Sequence, residues 1–436
     1  MKRKRLDSIT CVNATRPALV ALVLVMAALL LGSAIARADV VLEWNAIAVD
    51  TAIANGANPV AQARYAAIVQ LAVFEAVNAI TGKYQPYPGA IIVARPGASA
   101  EAAAIETAYQ VLSSYFPASQ GSLYADRTDS LASIPDGQAK DDGIATGDAA
   151  ALAMIALRAN DGSSPPKFYV PGPPEPGKWR ATPSCPVMNG VAVGTFFHWQ
   201  NVTPFGIPDA HAYLLSPPPA LSSNRYAQTY REVMTVGSST STERPQDRAD
   251  VATYYAASSP THVFNQAARQ VAQERWHSLS ENARALALIN MAISDSLVAS
   301  FYNKYRYIFW RPETAIRAGD TDGNPKTEAD PTFLPFIVTP CFPSYPSNHG
   351  SASNGGAEVM RRLYNEAGHS IRLSNPAVPN IVLQYDAFKH ITDDISDARV
   401  YGGIHFRTDQ DAGAVLGRSV GTAVYKSNLR PVHSDE

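Results

Sequence analysis

The chain has 436 residues, with 36 Lys+Arg against 38 Asp+Glu, 46% apolar residues and 17% charged ones. That composition excludes a disordered or collagen-like chain, and the length calls for one large domain or two fused ones. A net charge of −2 gives no general electrostatic reason to bind nucleic acid.

The chain opens on Met1-Lys-Arg-Lys-Arg5, continues through an uncharged, mostly apolar run from Pro17 to Ala36, and reaches small residues around Ala36-Arg37-Ala38. This order reads as a signal peptide over 1–38, which places the remainder outside the cytoplasm, secreted or periplasmic. The competing reading is a retained membrane anchor, since about 18 apolar residues can span a bilayer. Without residues 1–38 the chain keeps 30 basic and 37 acidic residues, so any anion site must be a local cluster of cations. Cys185 and Cys341 then remain, and pairing and two free thiols are both open from sequence.

Apolar residues at three- and four-residue spacing predict helices over Pro59–Ile80, Ser99–Phe116 and Asp141–Ala159. Gly162–Ser223 is broken by Pro165-Pro166, Pro171–Pro176 and Pro217–Pro219, and predicts a long loop of functional or lid type. Helical patterning resumes at Asn224–Met234 and Asp247–Ala257, runs from Phe264 to Phe309, and returns over Gly350–Ala367 and Ile381–Ser427. Sustained strand alternation is scarce. The expected fold is therefore all-α, a single domain over 39–436 with an N-terminal helical half, 39–223, and a C-terminal half, 224–436.

Three C-terminal segments carry chemistry. Lys304 and Arg311 lie seven residues apart, close to two helical turns, so on a continuous helix both cations face the same way. Tyr345-Pro-Ser347-Asn348-His349-Gly350 sits at a loop-to-helix junction, where Ser347 offers a hydroxyl, the helix start offers free N–H groups, and His349 can move a proton. Arg399 supplies a forked anion donor; Gly402 and Gly403 allow a sharp bend. His405 and Asp409 are one helical turn apart, so the carboxylate can fix one ring nitrogen and leave the other free. Each segment alone has an ordinary structural explanation. Together, three cations, two histidines, a hydroxyl and a helix start suit an oxyanion.

The order Lys-x6-Arg-Pro, Pro-Ser-x-His, Arg-x5-His-x3-Asp resembles the shared signature of vanadium-dependent haloperoxidases and type-2 phosphatidic-acid-phosphatase-like acid phosphatases. The resemblance covers roughly residues 295–425. Trp44-Asn45 and the stretch Arg64–Asn78 are similar, more weakly, to exported bacterial haloperoxidases. It implies an all-α fold built on two four-helix bundles, and vanadate as cofactor in a pocket that phosphate can also occupy. Lys304, Arg311 and Arg399 would neutralise the anion's equatorial oxygens, with hydrogen bonds from Ser347 and the backbone N–H of Asn348. His405 would be the single metal ligand, with Asp409 as its supporting carboxylate, and His349 the acid/base. The catalytic set is thus His349, Lys304, His405 and Asp409. Asn348 departs from the glycine usual at its position; if that position needs positive φ, Asn is the next-best residue. Phe342 would line the halide side.

The implied reaction oxidises halide with hydrogen peroxide to hypohalous acid, which halogenates an organic acceptor. The implied partners are those small molecules, with no nucleic acid, and a membrane only if the N-terminal segment is retained. Two alternatives are a phosphomonoesterase working through a phospho-histidine, and a non-catalytic oxyanion-binding protein. Phe196-Phe197-His198-Trp199 is expected to pack or to roof the pocket, and Asp295 to pair with a site cation.

Overall fold

The computed structural model describes residues 39–432 apart from residues 91 and 276. Residues 1–38, over which a signal peptide is expected, and His433 lie outside the described residues.

Thirteen α-helices account for most of the described residues. The first five are α1 (Val40–Ala54), α2 (Pro59–Thr81), α3 (Ala100–Tyr115), α4 (Gln120–Ala132) and α5 (Gln138–Arg158). Local chemistry sets their limits. Asn58 Oδ1 accepts from the N–H groups of Val60 and Ala61, Pro59 occupies the first helical position, and Gly82 closes α2 at φ +63°. Ser99 caps α3 by accepting from Ala102 N–H. Helices α1, α2, α3 and α5 pack as the first four-helix group, on alanine-rich faces.

The Pro-rich stretch has no α-helix, as its prolines require, and contains only a two-residue hairpin, β1 (Val187–Met188) and β2 (Val191–Ala192), and short 3-10 turns. It is pinned along its length and is not a free lid. Cys185 and Cys341 form a disulfide. Thr195 N–H donates to Cys341 O at 2.7 Å, and Trp179 N–H to Ile308 O at 2.8 Å. Asp295, expected beside a site cation, instead accepts from the N–H groups of Phe205, Gly206 and Ile207 at 2.7, 2.6 and 3.1 Å. Its face of the helix points at the loop, and three backbone donors there outcompete a distant cation.

The second half contains α6 (Asn224–Val236), α7 (Gln246–Ala257), α8 (Pro260–Arg275), α9 (Leu279–Tyr307), α10 (Pro312–Arg317) and α11 (Asn348–Tyr364), then α12 (Phe388–Tyr401) and α13 (Arg407–Ser427). The stretch 264–309 is two helices, because Ser278 and Glu281 form a capping box that starts α9 afresh. Between α11 and α12 lies a hairpin, β3 (Ala367–Ser374) with β4 (Val382–Ala387), paired antiparallel with Ile371 opposite Tyr385. It replaces the helix ends expected there; the alternation of buried His369, Ile371 and Leu373 is too short to register as a strand in sequence.

Helices α8, α9, α11 and α13 form the second group, and α9 also packs against α2, joining the two. The helices α2 and α9 are long and apolar enough to cross a membrane, but their apolar windows are 83% and 94% buried within the protein. Along α13, Gly413, Gly417 and Gly421 lie against α11. A Cβ on Gly417 would stand 2.1 Å from Ser351 O, and one on Gly421 2.5 Å from Gly355 O. The two helix backbones therefore touch, which fixes the first turn of one beside the first turn of the other.

Two stability predictions follow from this packing. Gly417→Ala forces these backbones apart and is expected to cost about 3 kcal/mol, seen as a lowered melting temperature; unchanged melting would deny the close seam. Glu75 on α2 is buried and, among the described residues, accepts one hydrogen bond, from Tyr87 N–H at 2.6 Å. Burial pushes its carboxyl up to about 7, against that bond. A raised acid favours the folded state below the unfolded value, and that contribution is lost as pH rises through about 7. Glu75→Gln should therefore gain stability over wild type, by up to about 3 kcal/mol, in melts at pH 8 but not at pH 4.

Candidate active site

Lys304 lies in the last turn of α9, which Ile308 ends in the left-handed conformation at φ +53°. Arg311 follows as the residue before α10. The two cations are thus not on one helix, contrary to the two-turn expectation. They meet because the chain leaves α9 and returns under the segment 340–347. Both are fully buried. Lys304 Nζ donates to the carbonyls of Pro343 and Ser344, each at 2.8 Å, and of Pro346 at 2.5 Å. Arg311 Nε donates to Phe342 O, and Nη1 to Ile404 O, each at 2.9 Å. The Phe342 ring lies 5.2 Å from Lys304 Nζ and 5.0 Å from Arg311 Cζ, within cation–π range.

Ser347 caps α11, its Oγ accepting from Gly350 N–H at 3.1 Å, which leaves the hydroxyl hydrogen to donate. His349 sits in the first turn. Its neighbour Asn348 is the first helical residue and does not have positive φ, so backbone conformation is not the reason for asparagine there. Ser347 N–H donates to Asp409 O at 2.9 Å, joining the starts of α11 and α13.

Arg399, in the last turn of α12, donates from Nη1 to Tyr255 O at 3.1 Å. Gly402 closes the helix and Gly403, at φ +79°, turns the chain; a Cβ on Gly403 would meet Gly237 O at 2.2 Å. His405 follows. Its Nδ1 lies 2.9 Å from Asp409 Oδ2, which also accepts from Ser344 Oγ at 2.6 Å and Phe406 N–H at 3.1 Å. The carboxylate assigns the proton to Nδ1, leaving the lone pair on Nε2, 2.9 Å from Arg311 Nη1.

Burial dominates the electrostatics. It holds Lys304 well below the usual lysine range, reinforced by Arg311, and brings Arg311 down to about 9 and Arg399 to about 10. Asp409 is raised by burial to about 6, against hydrogen bonding from Ser344 and the charges of Lys304 and Arg311. His349 and His405 are both held well below the ordinary histidine value, by burial first and then by Arg399 for His349 and Arg311 for His405. Both imidazoles are therefore neutral at neutral pH.

His349, His405, Arg399 and Asn348 form the polar part of a cavity of about 410 Å³. Its other walls are apolar, including Val60, Phe196, Leu297, Ile337, Val338 and Phe342. Lys304, Arg311 and Arg399 gather around His405, and Arg311 Nη2 and Arg399 Nε are buried with no hydrogen-bond partner among the described residues. Unpaired buried donors are costly. Two open guanidinium N–H groups, a helix start and an unprotonated imidazole nitrogen held only by Arg311 Nη1 fit a tetrahedral or trigonal-bipyramidal oxyanion such as vanadate or phosphate.

The structure brings Lys304, Arg311, Ser347, Asn348, His349, Arg399, His405 and Asp409 to one place. Phe342 and Phe196 stand in its wall, their ring centroids 6.1 Å apart, so the second of these does flank the pocket. The sequence reading missed Ser344, which holds Asp409, and Ser300, whose Oγ donates to Asn348 Oδ1 at 2.7 Å. Ser300 lies four residues before Lys304 in α9, a helical spacing that could have flagged it.

Residues 284–434 match the family described as the VCPO second helical-bundle domain. The vanadium chloroperoxidase of Curvularia inaequalis is 28% identical over 202 residues, 39% of this chain. That alignment spans 32% of the relative's length. Among solved structures, the first bacterial vanadium-dependent iodoperoxidase superposes with a TM-score of 0.76 at 23% identity, covering 91% of this chain and 98% of that one. A holo-type bacterial vanadium-dependent chloroperoxidase gives 0.64 at 16% identity, covering 85% and 92%. Residues 284–434 thus carry the VCPO second helical-bundle domain, and the all-α architecture is shared with these bacterial vanadium-dependent haloperoxidases.

Replacing Asp409 by Asn would let a side-chain amide donate to Nδ1, driving the His405 proton to Nε2, against Arg311 Nη1, and removing the lone pair there. Vanadate affinity of Asp409→Asn, read by equilibrium dialysis, should fall about 10–100-fold. Retained affinity would mean that His405 is not held through Nδ1.

Proposed function

We propose that the chain is a vanadate-dependent haloperoxidase that oxidises halide with hydrogen peroxide and halogenates organic acceptors. The observation that carries this reading is the buried cluster of Lys304, Arg311 and Arg399 around His405, whose unprotonated Nε2 accepts from Arg311 Nη1, opening into a largely apolar cavity. The net reaction is H2O2 + X− + H+ → HOX + H2O. The halide loses two electrons, and the peroxide O–O bond accepts them and breaks.

Vanadate, when bound, supplies a Lewis-acidic centre that makes peroxide electrophilic without changing its own oxidation state. His405 would hold it through Nε2. Arg311 Nη2 and Arg399 Nε would donate to its oxygens, joined by the Ser347 hydroxyl and the free N–H groups at the start of α11. Asp409 and Ser344 orient His405. Lys304 contributes its charge throughout, and donates to the bound group when one of its N–H groups leaves a carbonyl. His349, neutral in this setting, takes a proton from incoming peroxide and returns it to the departing oxygen. Phe342 and Phe196 present apolar surface to a weakly hydrated halide. Preorganised charge of this kind is the main source of catalysis in the scheme.

The same cluster suits a phosphoryl group, with His405 as nucleophile and His349 as acid, so phosphomonoester hydrolysis is the second reading. The apolar walls favour the first, since they offer nothing to a charged phosphate ester beyond its phosphoryl group. Export is proposed as well: it rests on the N-terminal pattern, and the Cys185–Cys341 disulfide suits an oxidising compartment.

Purified protein loaded with vanadate should form triiodide or brominate an indicator in a peroxide-dependent manner, beside little release of nitrophenol from its phosphate ester. His405→Ala should lose vanadate binding and at least about 1,000-fold in halide oxidation. Phosphate release without peroxide-dependent halide oxidation would overturn the proposal in favour of the phosphatase.

A further inference from the structure

Asn348 stands where glycine would fit, and nothing in its backbone calls for asparagine. It lies at the start of a regular helix without positive φ. Its side chain is 7% exposed, so a carboxamide has been placed in a nearly closed site. One end is fixed: Oδ1 accepts from the fully buried Ser300 Oγ at 2.7 Å. With Oδ1 so held, Nδ2 becomes the free end. It has no hydrogen-bond partner among the described residues, and Asn348 lines the cavity together with His349, Arg399 and His405. Its N–H groups are therefore left to donate to whatever occupies the cavity.

We propose that the Asn348 carboxamide, oriented by Ser300, is a further anion-binding group that donates from Nδ2 to an oxygen of the oxyanion held by Arg311, Arg399 and His405. This rests on reading that cluster as an oxyanion site. The donor differs in kind from the others. Arg399, His349 and His405 line the same cavity as Asn348, so the amide faces the space that the guanidinium and the imidazoles share. Ser300 sets the amide's rotation, and it does so from the same face of α9 that carries Lys304, one turn further on. A shift of α9 would therefore move a cation and this amide together.

A side chain at this position can either bond the anion or crowd it, and the two have opposite signs on removal. Phosphate binding to the peroxide-free protein by calorimetry, and vanadate binding by vanadium NMR, read that sign without any turnover. Asn348→Gly is expected to weaken both by about tenfold, the value of one hydrogen bond to a charged group. Asn348→Asp, which keeps the shape, retains an N-terminal helix residue and removes the donor, should weaken them at least as much. Ser300→Ala, which leaves the amide in place but unoriented, should weaken them about threefold, with Ser300→Thr restoring wild-type affinity. Equal or tighter phosphate binding by Asn348→Gly would overturn the inference while leaving the cluster intact. Failure of the wild-type protein to bind either anion would overturn the cluster reading and this inference with it.

Discussion

Three cationic side chains buried together are the constraint around which the C-terminal half is built. Like charges in a poorly solvated interior repel, and each also loses its water. The protein replaces that water with backbone carbonyls: three on Lys304, those of Phe342 and Ile404 on Arg311, that of Tyr255 on Arg399. Carbonyl dipoles solvate a charge without neutralising it. The positive potential therefore survives, offset only by Asp409, and is directed at the two guanidinium nitrogens that have no partner. An anion is what completes the arrangement.

Apart from that of Tyr255 in α7, those carbonyls belong to segments with no regular structure, and their positions must be imposed from outside. The disulfide holds residue 341, and Thr195 bonds to its carbonyl. Asp295 gathers three successive N–H groups of the Pro-rich stretch against α9. On the opposite side, the glycines of α13 bring its backbone against α11, so that Ser347 N–H reaches the carbonyl of Asp409. The two histidines come from helix starts that this seam places side by side. Irregular segments thus gain rigidity from a few strong fixed points, and the Pro-rich loop serves as a wall rather than a lid.

The chemistry-bearing side chains were legible in sequence because their types are rarely buried without cause and their spacing is strict. Lys304, Arg311, His349, Arg399, His405 and Asp409 could be named before any coordinates, and the helices over 59–81, 100–115 and 224–257 follow from apolar periodicity. What escaped was whatever depends on the path between elements. Lys304 and Arg311 looked like one helical face, yet a left-handed residue at Ile308 separates them. Asp295 carried no sign that its partners would be backbone N–H groups. Ser300 and Ser344 are ordinary residues whose roles come entirely from what stands opposite. The hairpin at 367–387 hid because its buried face has too few residues to set a period.

The same cations govern the state of the imidazoles, and this links binding to chemistry. With the positive charges uncompensated, both His349 and His405 resist protonation, burial being the larger cause and the neighbouring arginines the next. That keeps a lone pair on His405, as a ligand or nucleophile must have. An oxyanion settling among Arg311, Arg399 and His405 cancels much of the local potential, and a nearby negative charge favours the protonated form of His349. His349 then becomes able to hold a proton when the anion is present, which is when a proton has to be taken from a reactant. Under the proposed function, a single electrostatic field would thus keep His405 unprotonated in the free protein and let His349 act as acid/base in the bound one. Loosening that field, for instance by letting water reach Arg399, would weaken both properties together.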